Sequence, residues 1–423
     1  DLFQFGTISE NLKNWPWQLG APIIDGDGIP DNYNLEGGDL PELLGHQRLW
    51  WIMNDRGNVH ERFGSEPLGI EVHGTAIGYE FPQLVENNTF YSYQLINKNT
   101  TTIEDAYFTF WTDGDLGNFA DDYVGSDSLL GLGFYYNADN EDEGGEGYGT
   151  APPAVGFTFL KTPPAENDGL DNDRDGETDE SGEELGVTVI MNHQKTWDPR
   201  NSQDIFNYAR GRWRDGEPMQ EGFFGHQTGG ATTLFYMAGD PLNNMFWSER
   251  NADGAGLVLD PADRRLHAST GPFTLAPGDT MQIAFGVIWA RGDDNLDSLR
   301  KLKLDVATLN QAGDAILSPS IRENPFPQQD PVPAENHVLG FDQNFPNPFT
   351  KSTTIRYSIP QAMRVRLAVF DILGREVAVL VEERQDAGIY SVEFDAGVLP
   401  AGVYLARFQV DQLQFTKRML LVD

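Results

Sequence analysis

Glycine and proline punctuate this chain so densely that it cannot fold as a bundle of long helices. Of 423 residues, 45 are glycine and 25 are proline, and both break helices and favour turns. Between these interruptions lie short runs rich in β-branched and aromatic residues, at Thr89–Ile96, Ala106–Trp111, Val187–Met191, Thr232–Met237 and Met281–Ala290. Several alternate apolar and polar side chains, as half-buried antiparallel strands require. Gly271–Thr280 reads as a strand, a Pro-Gly turn and the next strand. One helix stands out, over Leu296–Ala312, where Leu299, Leu302, Val306 and Leu309 recur at three-to-four spacing and Asp297 can cap or charge the first turn. The expected class is therefore all-β, with a large N-terminal β-sandwich-like domain and one late helix.

A chain of this length exceeds what one small core organises. Pro319, Pro325, Pro327, Pro331 and Pro333 crowd one stretch, which reads as an extended linker over 318–339. Beyond it the texture changes. Thr353–Ser358, Val365–Phe370, Val377–Val381, Tyr390–Phe394, Val403–Val410 and Phe415–Leu421 are short strands separated by turn signals, the pattern of a small Ig-like sandwich over 340–423. Charge divides at the same place. The net charge is −36; residues 340–423 hold ten acidic and nine basic residues, net −1, which leaves −35 for residues 1–339. So acidic a surface repels phosphate backbones and excludes nucleic acid as a partner. It serves either solubility or divalent-cation binding.

No cysteine is present, which excludes thiol catalysis and iron–sulfur clusters. A large chain without disulfides that works outside the cell would need another staple for its loops, and calcium is the usual one there. No apolar run approaches the ~18 residues of a membrane span. The start at Asp1, without a charged-then-apolar leader, reads as a mature terminus after signal-peptide removal.

The C-terminal region carries an ordered set of motifs. Phe341-Asp-Gln-Asn-Phe-Pro-Asn-Pro-Phe349 is followed by Ser352-Thr-Thr-Ile-Arg-Tyr357, Val369-Phe-Asp-Ile-Leu-Gly-Arg-Glu-Val377, Ala401-Gly-Val-Tyr404 and the terminal Lys417-Arg-Met-Leu-Leu421. This set closely resembles the type A C-terminal sorting domain of the type IX secretion system of Bacteroidota and relatives. The resemblance implies export through the inner membrane by a signal peptide. It then implies delivery across the outer membrane to the cell surface or the medium by the type IX machinery, usually with removal of the domain. Retention of the domain would favour a role in assembly. Asn344, Pro346 and Pro348 are expected to form a rigid lead-in turn, and Gly374 and Gly402 to serve tight turns.

Three acidic loops are candidate Ca²⁺ sites. In Asp171-Asn-Asp-Arg-Asp-Gly-Glu-Thr-Asp-Glu180, alternating carboxylates at Asp171, Asp173 and Asp175, a turn at Gly176, and Glu177, Asp179 and Glu180 resemble the first half of an EF-hand loop. Gly182 stands where the closing glutamate would be, so the loop is closer to short extracellular calcium loops; the alternative is a solvated acidic loop. Asp25-Gly-Asp-Gly-Ile-Pro-Asp31 is similar to one unit of a thrombospondin type 3 repeat, with Asp25, Asp27 and Asp31 as ligands. The third, Asp113–Asp127, resembles a stretch that recurs, with Gly131–Asn137 and Pro152–Gly156, in uncharacterised type IX cargo. Its Asp113, Asp115, Asp121 and Asp122 either bind a cation or cap turns, stabilising the fold in either case.

Catalytic signatures are sparse: there is no Gly-x-Ser-x-Gly elbow, no His-Glu-x-x-His and no phosphate-cradling Gly-Lys-Ser/Thr loop. His193, His226 and His267 read as hydrogen-bonded structural groups. Trp15, Trp17, Trp50, Trp51, Trp197, Trp213 and Trp247 either fill cores, the favoured reading, or form a sugar-stacking platform. The sequence thus leans away from an enzyme and towards a calcium-stabilised structural or adhesive surface protein able to assemble into a filament or layer. The alternative is a carbohydrate-binding module or a polysaccharide-degrading enzyme acting on a surface glycan.

Overall fold

The computed structural model describes residues 3–317 and 340–421, except 5–6, 9, 43, 58–59, 80–82, 166–168, 170–171, 173–177, 179–180, 313–315, 342–343, 345–348, 350, 360–361, 372–374, 387, 398, 401 and 411–412. The proline-rich stretch 318–339 therefore lies outside the described residues, as do Pro346, Pro348 and Gly374. Two compact units are distinguished, residues 1–327 and 328–423. The chain is all-β in both.

In the first unit, a short ladder of β1 (Ile23–Ile24) and β2 (Leu40–Pro41) flanks a loop. The strands that follow are β3 (Gln47–Asn54), β4 (Ile70–Gly78), β5 (Thr89–Asn97), β6 (Ile103–Asp113), β7 (Asp122–Asp127), β8 (Leu132–Asn137), β9 (Ala154–Lys161) and β10 (Val189–Gln194). Helix α1 (Ser202–Ala209), strands β11 (Arg264–Leu275) and β12 (Thr280–Ala290), and helix α2 (Asn295–Ala312) complete it. A seven-stranded sheet runs in the order β3-β4-β5-β12-β9-β8-β7, and a three-stranded sheet in the order β10-β11-β6. All their pairings are antiparallel.

Alternation along the strands sorts side chains into two cores. Phe157, Phe159, Ile283 and Phe285 of the larger sheet meet Leu266, Ala268, Phe273 and Leu275 of the smaller one, with Phe110 4.4 Å from Phe285 between ring centroids. On the opposite face, Phe90, Leu132, Phe134, Tyr136 and Ile288 pack with Leu299, Leu302, Val306 and Leu309 of α2, all four fully buried. The helical stripe expected from spacing is thus the one that is buried, and removing such area from water stabilises by about 25 cal/mol per Å². Gly156 admits the helix: a Cβ there would stand 2.6 Å from Leu132 and 3.1 Å from Leu302.

Two sequence expectations differ. Thr232–Met237 is not a strand: among the described residues it makes isolated bridges alone, Thr232 antiparallel to Gln220 and Phe235 parallel to Ile190. Met237 takes a left-handed conformation, φ 51°, and its carbonyl turns to accept the Ser126 N–H, which ends the pairing. Helix α1 was not anticipated. Asn201 caps it, accepting the Asp204 N–H at 2.9 Å.

The second unit contains β13 (Gly340–Phe341), β14 (Ser352–Ile359), β15 (Met363–Asp371), β16 (Glu376–Gln385), β17 (Gly388–Asp395), β18 (Gly402–Val410) and β19 (Leu413–Leu421). They form sheets β13-β14-β17 and β16-β15-β18-β19 around a core that includes Phe341, Tyr357, Val369, Tyr404 and Phe408. Asn344 is buried and donates to the Thr353 hydroxyl at 2.9 Å, so this motif residue fixes the lead-in to β14. Gly402 opens β18. Met419 and Leu421 of the terminal motif are core residues.

Candidate functional site

The loop between β1 and β2 brings carboxylates together. One oxygen each of Asp25, Asp27 and Asp39 lies within 4.8 Å of the other two, the span of ligands sharing a cation at ~2.3–2.6 Å. Asp39, fully buried, folds the loop by accepting the N–H groups of Gly26 at 2.9 Å, Asp27 at 3.3 Å and Asn34 at 2.6 Å. Asp27 accepts from the Ile29 N–H and the Asn34 amide, which hold its carboxyl below the usual range. The Oδ1 of Asn32 is buried without a partner. Asp31 does not join the group; it is exposed with φ 61°. Asp39 takes its place, and the signal for it was the Gly37-Gly38 pair. A Cβ on Gly26 would lie 2.2 Å from the Gly38 carbonyl, so the loop closes only through glycine.

Asp113 and Asp115 also share such a group, completed by Asp263. Here a cation is already built in. Arg265, nearly buried, contacts Asp113 at 3.0 Å and Asp198 at 3.6 Å and pairs with Asp263. Burial raises the Asp113 carboxyl while Arg265 opposes it. Asp122 lies deeper. Its Oδ2 accepts the Leu116 N–H at 3.0 Å and its Oδ1 has no partner; burial pushes its pKa up to about 8. Burial thus favours its protonated form. Asp171, Asp173, Asp175, Glu177, Asp179 and Glu180 lie outside the described residues.

An aromatic cleft of about 300 Å³ opens beside β10, lined by His193, Trp197, Trp213, Phe224, His226 and Arg264 among others. His226 stands 5.0 Å from Trp197 and 5.3 Å from Trp213 between ring centroids, and its Nε2 meets Asp215 at 2.8 Å. Arg214 covers the Trp197 ring at 4.9 Å. The lining holds no serine, threonine or carboxylate to act as nucleophile or acid. Of the seven tryptophans named from sequence, only Trp213 and Trp247 are core residues. Trp15, Trp17, Trp50, Trp51 and Trp197 are half-buried, because the edge strand β3 and the loops leave them uncovered.

His193 and His267 meet at 2.9 Å between Nε2 atoms. With the Gln194 carbonyl as acceptor, the Nδ1 of His193 is assigned its proton, which makes the Nε2 of His193 the acceptor and that of His267 the donor in a pair of neutral rings. Burial pushes both imidazoles down, His267 well below the ordinary value with His193 adding to the effect. Each depressed base contributes stability that is complete above the unfolded pKa of ~6.5. That stability is lost on acidification, by up to about 1.4 kcal/mol per pH unit for each ring. In an NMR titration, His193 and His267 are expected to take up a proton at lower pH than an exposed imidazole, His267 the later of the two; protonation of either at or above the ordinary value of ~6.5 would contradict the pairing.

Among the described residues, no helix is long and apolar enough to cross a membrane. The family described as secretion system C-terminal sorting domain matches residues 343–422, which leaves residues 1–342 outside the match. No curated protein matches the chain. Among solved structures, a polysaccharide lyase is similar at 9% identity with a TM-score of 0.27, over 95% of this chain and 39% of that one. Dimeric latent PorU from Porphyromonas gingivalis is similar at 12% identity with a TM-score of 0.19, over 90% of this chain and 29% of that one. The chain spans well under half the length of either, and similarities this low bear on neither fold nor activity. The motif order, the buried Asn344, Met419 and Leu421, and the family match agree: residues 343–422 are a secretion-system C-terminal sorting domain, and the chain is type IX cargo destined for the cell surface or the medium.

Proposed function

We propose that the chain is a non-enzymatic, calcium-stabilised structural or adhesive protein of the outer cell surface or extracellular space, reached after signal-peptide export. The observation that carries this reading is the convergence of Asp25, Asp27 and Asp39, none of them in an ion pair among the described residues, with the Asn32 Oδ1 left over. A cation there fixes the loop that a disulfide would otherwise staple. The EF-hand-like loop at Asp171–Glu180 would be a second such site. Sites of extracellular modules bind calcium at about 10⁻⁴–10⁻³ M, so ~10 mM calcium stabilises by about 1.4–2.7 kcal/mol. The melting temperature is expected to rise by several degrees over that in EDTA, and Asp27→Asn to remove at least half of the rise. An unchanged melting curve would reject the calcium reading.

Self-assembly is supported by β3, an edge strand of the seven-stranded sheet with no further partner strand among the described residues, whose Leu49 and Met53 are 59% and 47% exposed. Such an edge pairs with other chains unless it is blunted. Concentration-dependent oligomers are expected in sedimentation, reduced by Leu49→Lys with Met53→Lys. A monomer at all concentrations in calcium would exclude the filament or layer.

A further inference from the structure

The face of the seven-stranded sheet that α2 covers continues past the helix, and there its chemistry changes. On β5, Phe90 lies under the helix, whereas Ser92 and Gln94, two and four residues on, line a cavity of about 270 Å³. Register builds the floor in two rows: Trp50, Thr75 and Ser92 are successive cross-strand partners, and so are His73, Gln94 and Gln282. Pro22 and Glu42, just outside β1 and β2, are among its walls.

Arg48 reaches into this cavity with its side chain only 5% exposed. Its Nη1 donates to the Glu42 carbonyl at 2.6 Å and its Nη2 to the Thr75 hydroxyl at 3.4 Å, while its Nε is buried with no partner. A buried donor without an acceptor costs about 1–3 kcal/mol, so an oxygen-bearing ligand would recover what folding leaves unsatisfied. Gln94 is exposed, and its amide makes no hydrogen bond among the described residues; Gln282 donates to Ser92 at 3.1 Å. Trp50 is half-buried, edge-on to His73 at 5.6 Å, and supplies an aromatic surface.

Charge selects the ligand. The guanidinium of Arg48 lies 3.4 Å from the Glu42 carboxylate, so neither sign dominates the cavity, and an N-terminal region of net −35 disfavours the approach of anions within the screening length. Mixed donors and acceptors, no net charge and one aromatic wall suit hydroxyl groups on a compact ring. The volume is at the small end of ligand sites, which start at about 300 Å³. We propose that this cavity binds a single unit of a neutral carbohydrate, with Trp50 against the ring and Arg48, Gln94 and Gln282 on its hydroxyls. The inference is independent of calcium at the neighbouring loop.

Native affinity electrophoresis of the full chain, in gels containing a mannan, a xylan, a mixed-linkage β-glucan or polygalacturonate, tests it. At least one neutral polysaccharide is expected to retard the wild type. Trp50→Ala and Gln94→Ala should each weaken that retardation about tenfold. Gln94 is exposed, so its variant should melt like the wild type and exclude misfolding as the cause. Retardation by polygalacturonate alone, by none of the four, or equally in wild type and both variants would overturn the proposal.

Discussion

Cells producing the chain without residues 340–423 are expected to retain it within the envelope, with the amount at the surface or in the medium falling to background. The expectation follows from the matched sorting domain at 343–422. The deletion removes a separate compact unit with its own core around Tyr357, Val369 and Phe408. It takes none of the buried residues of the two cores in the first unit. Retained protein should therefore melt as the first unit of the full chain does, which separates failed delivery from failed folding. All nine tryptophans precede residue 318, so tryptophan fluorescence reports that unit alone. Wild-type surface levels of the truncated chain would show that its address lies elsewhere.

The largest stability effect is expected at Arg264. Its Nη2 lies 2.6 Å from Glu249 Oε1, with both side chains buried, and the other Glu249 oxygen accepts the Val124 N–H at 2.8 Å. Arg264→Met strands a buried carboxylate and should cost about 3–5 kcal/mol. Burial already raises the Glu249 pKa to about 7 against the pull of Arg264. Without the guanidinium, Glu249 should take up a proton at still higher pH. The folded-state pKa is raised, so stability is complete below the unfolded value of ~4.3 and is lost as pH rises through the folded value. The penalty of Arg264→Met should accordingly be larger at pH 8 than at pH 5. Arg264→Met with Glu249→Leu should recover most of the loss, since apolar replacements of a buried pair are often neutral. Urea unfolding followed by tryptophan fluorescence measures all three. A single variant within about 0.5 kcal/mol of wild type would mean that the pair is dispensable.

Local patterns were legible and long-range ones were not. The stripe Leu299, Leu302, Val306 and Leu309 gave away α2 because one helix face needs only its own spacing. The strands of the second unit were readable for the same reason. Asp39 escaped notice because it closes a loop fourteen residues from Asp25. Asp263 did so because β11 carries its neighbourhood back beside the end of β6, next to Asp113. The His193–His267 contact depends on the register of β10 against β11, in which Met191 faces His267. Period alone cannot fix such a register. Thr232–Met237 misled because its composition suits a strand while its backbone, left-handed at Met237, does not. Helix α1 did leave a local trace, a capping Asn201, but it is only eight residues long and buries Asp204 and Asn207 together with Tyr208 and Ala209, so its inward face mixes polar and apolar side chains.

We propose that the Asp25–Asp39 loop holds calcium in place of a disulfide. Terbium luminescence tests it directly, since Tb³⁺ occupies calcium sites and Tyr33, whose hydroxyl is raised by burial and by the nearby Asp39 carboxylate, lies within the loop. Excitation of the full chain should give terbium emission that calcium displaces and that Asp25→Asn and Asp27→Asn each diminish. Emission that is absent, or that both substitutions leave unchanged, would contradict it.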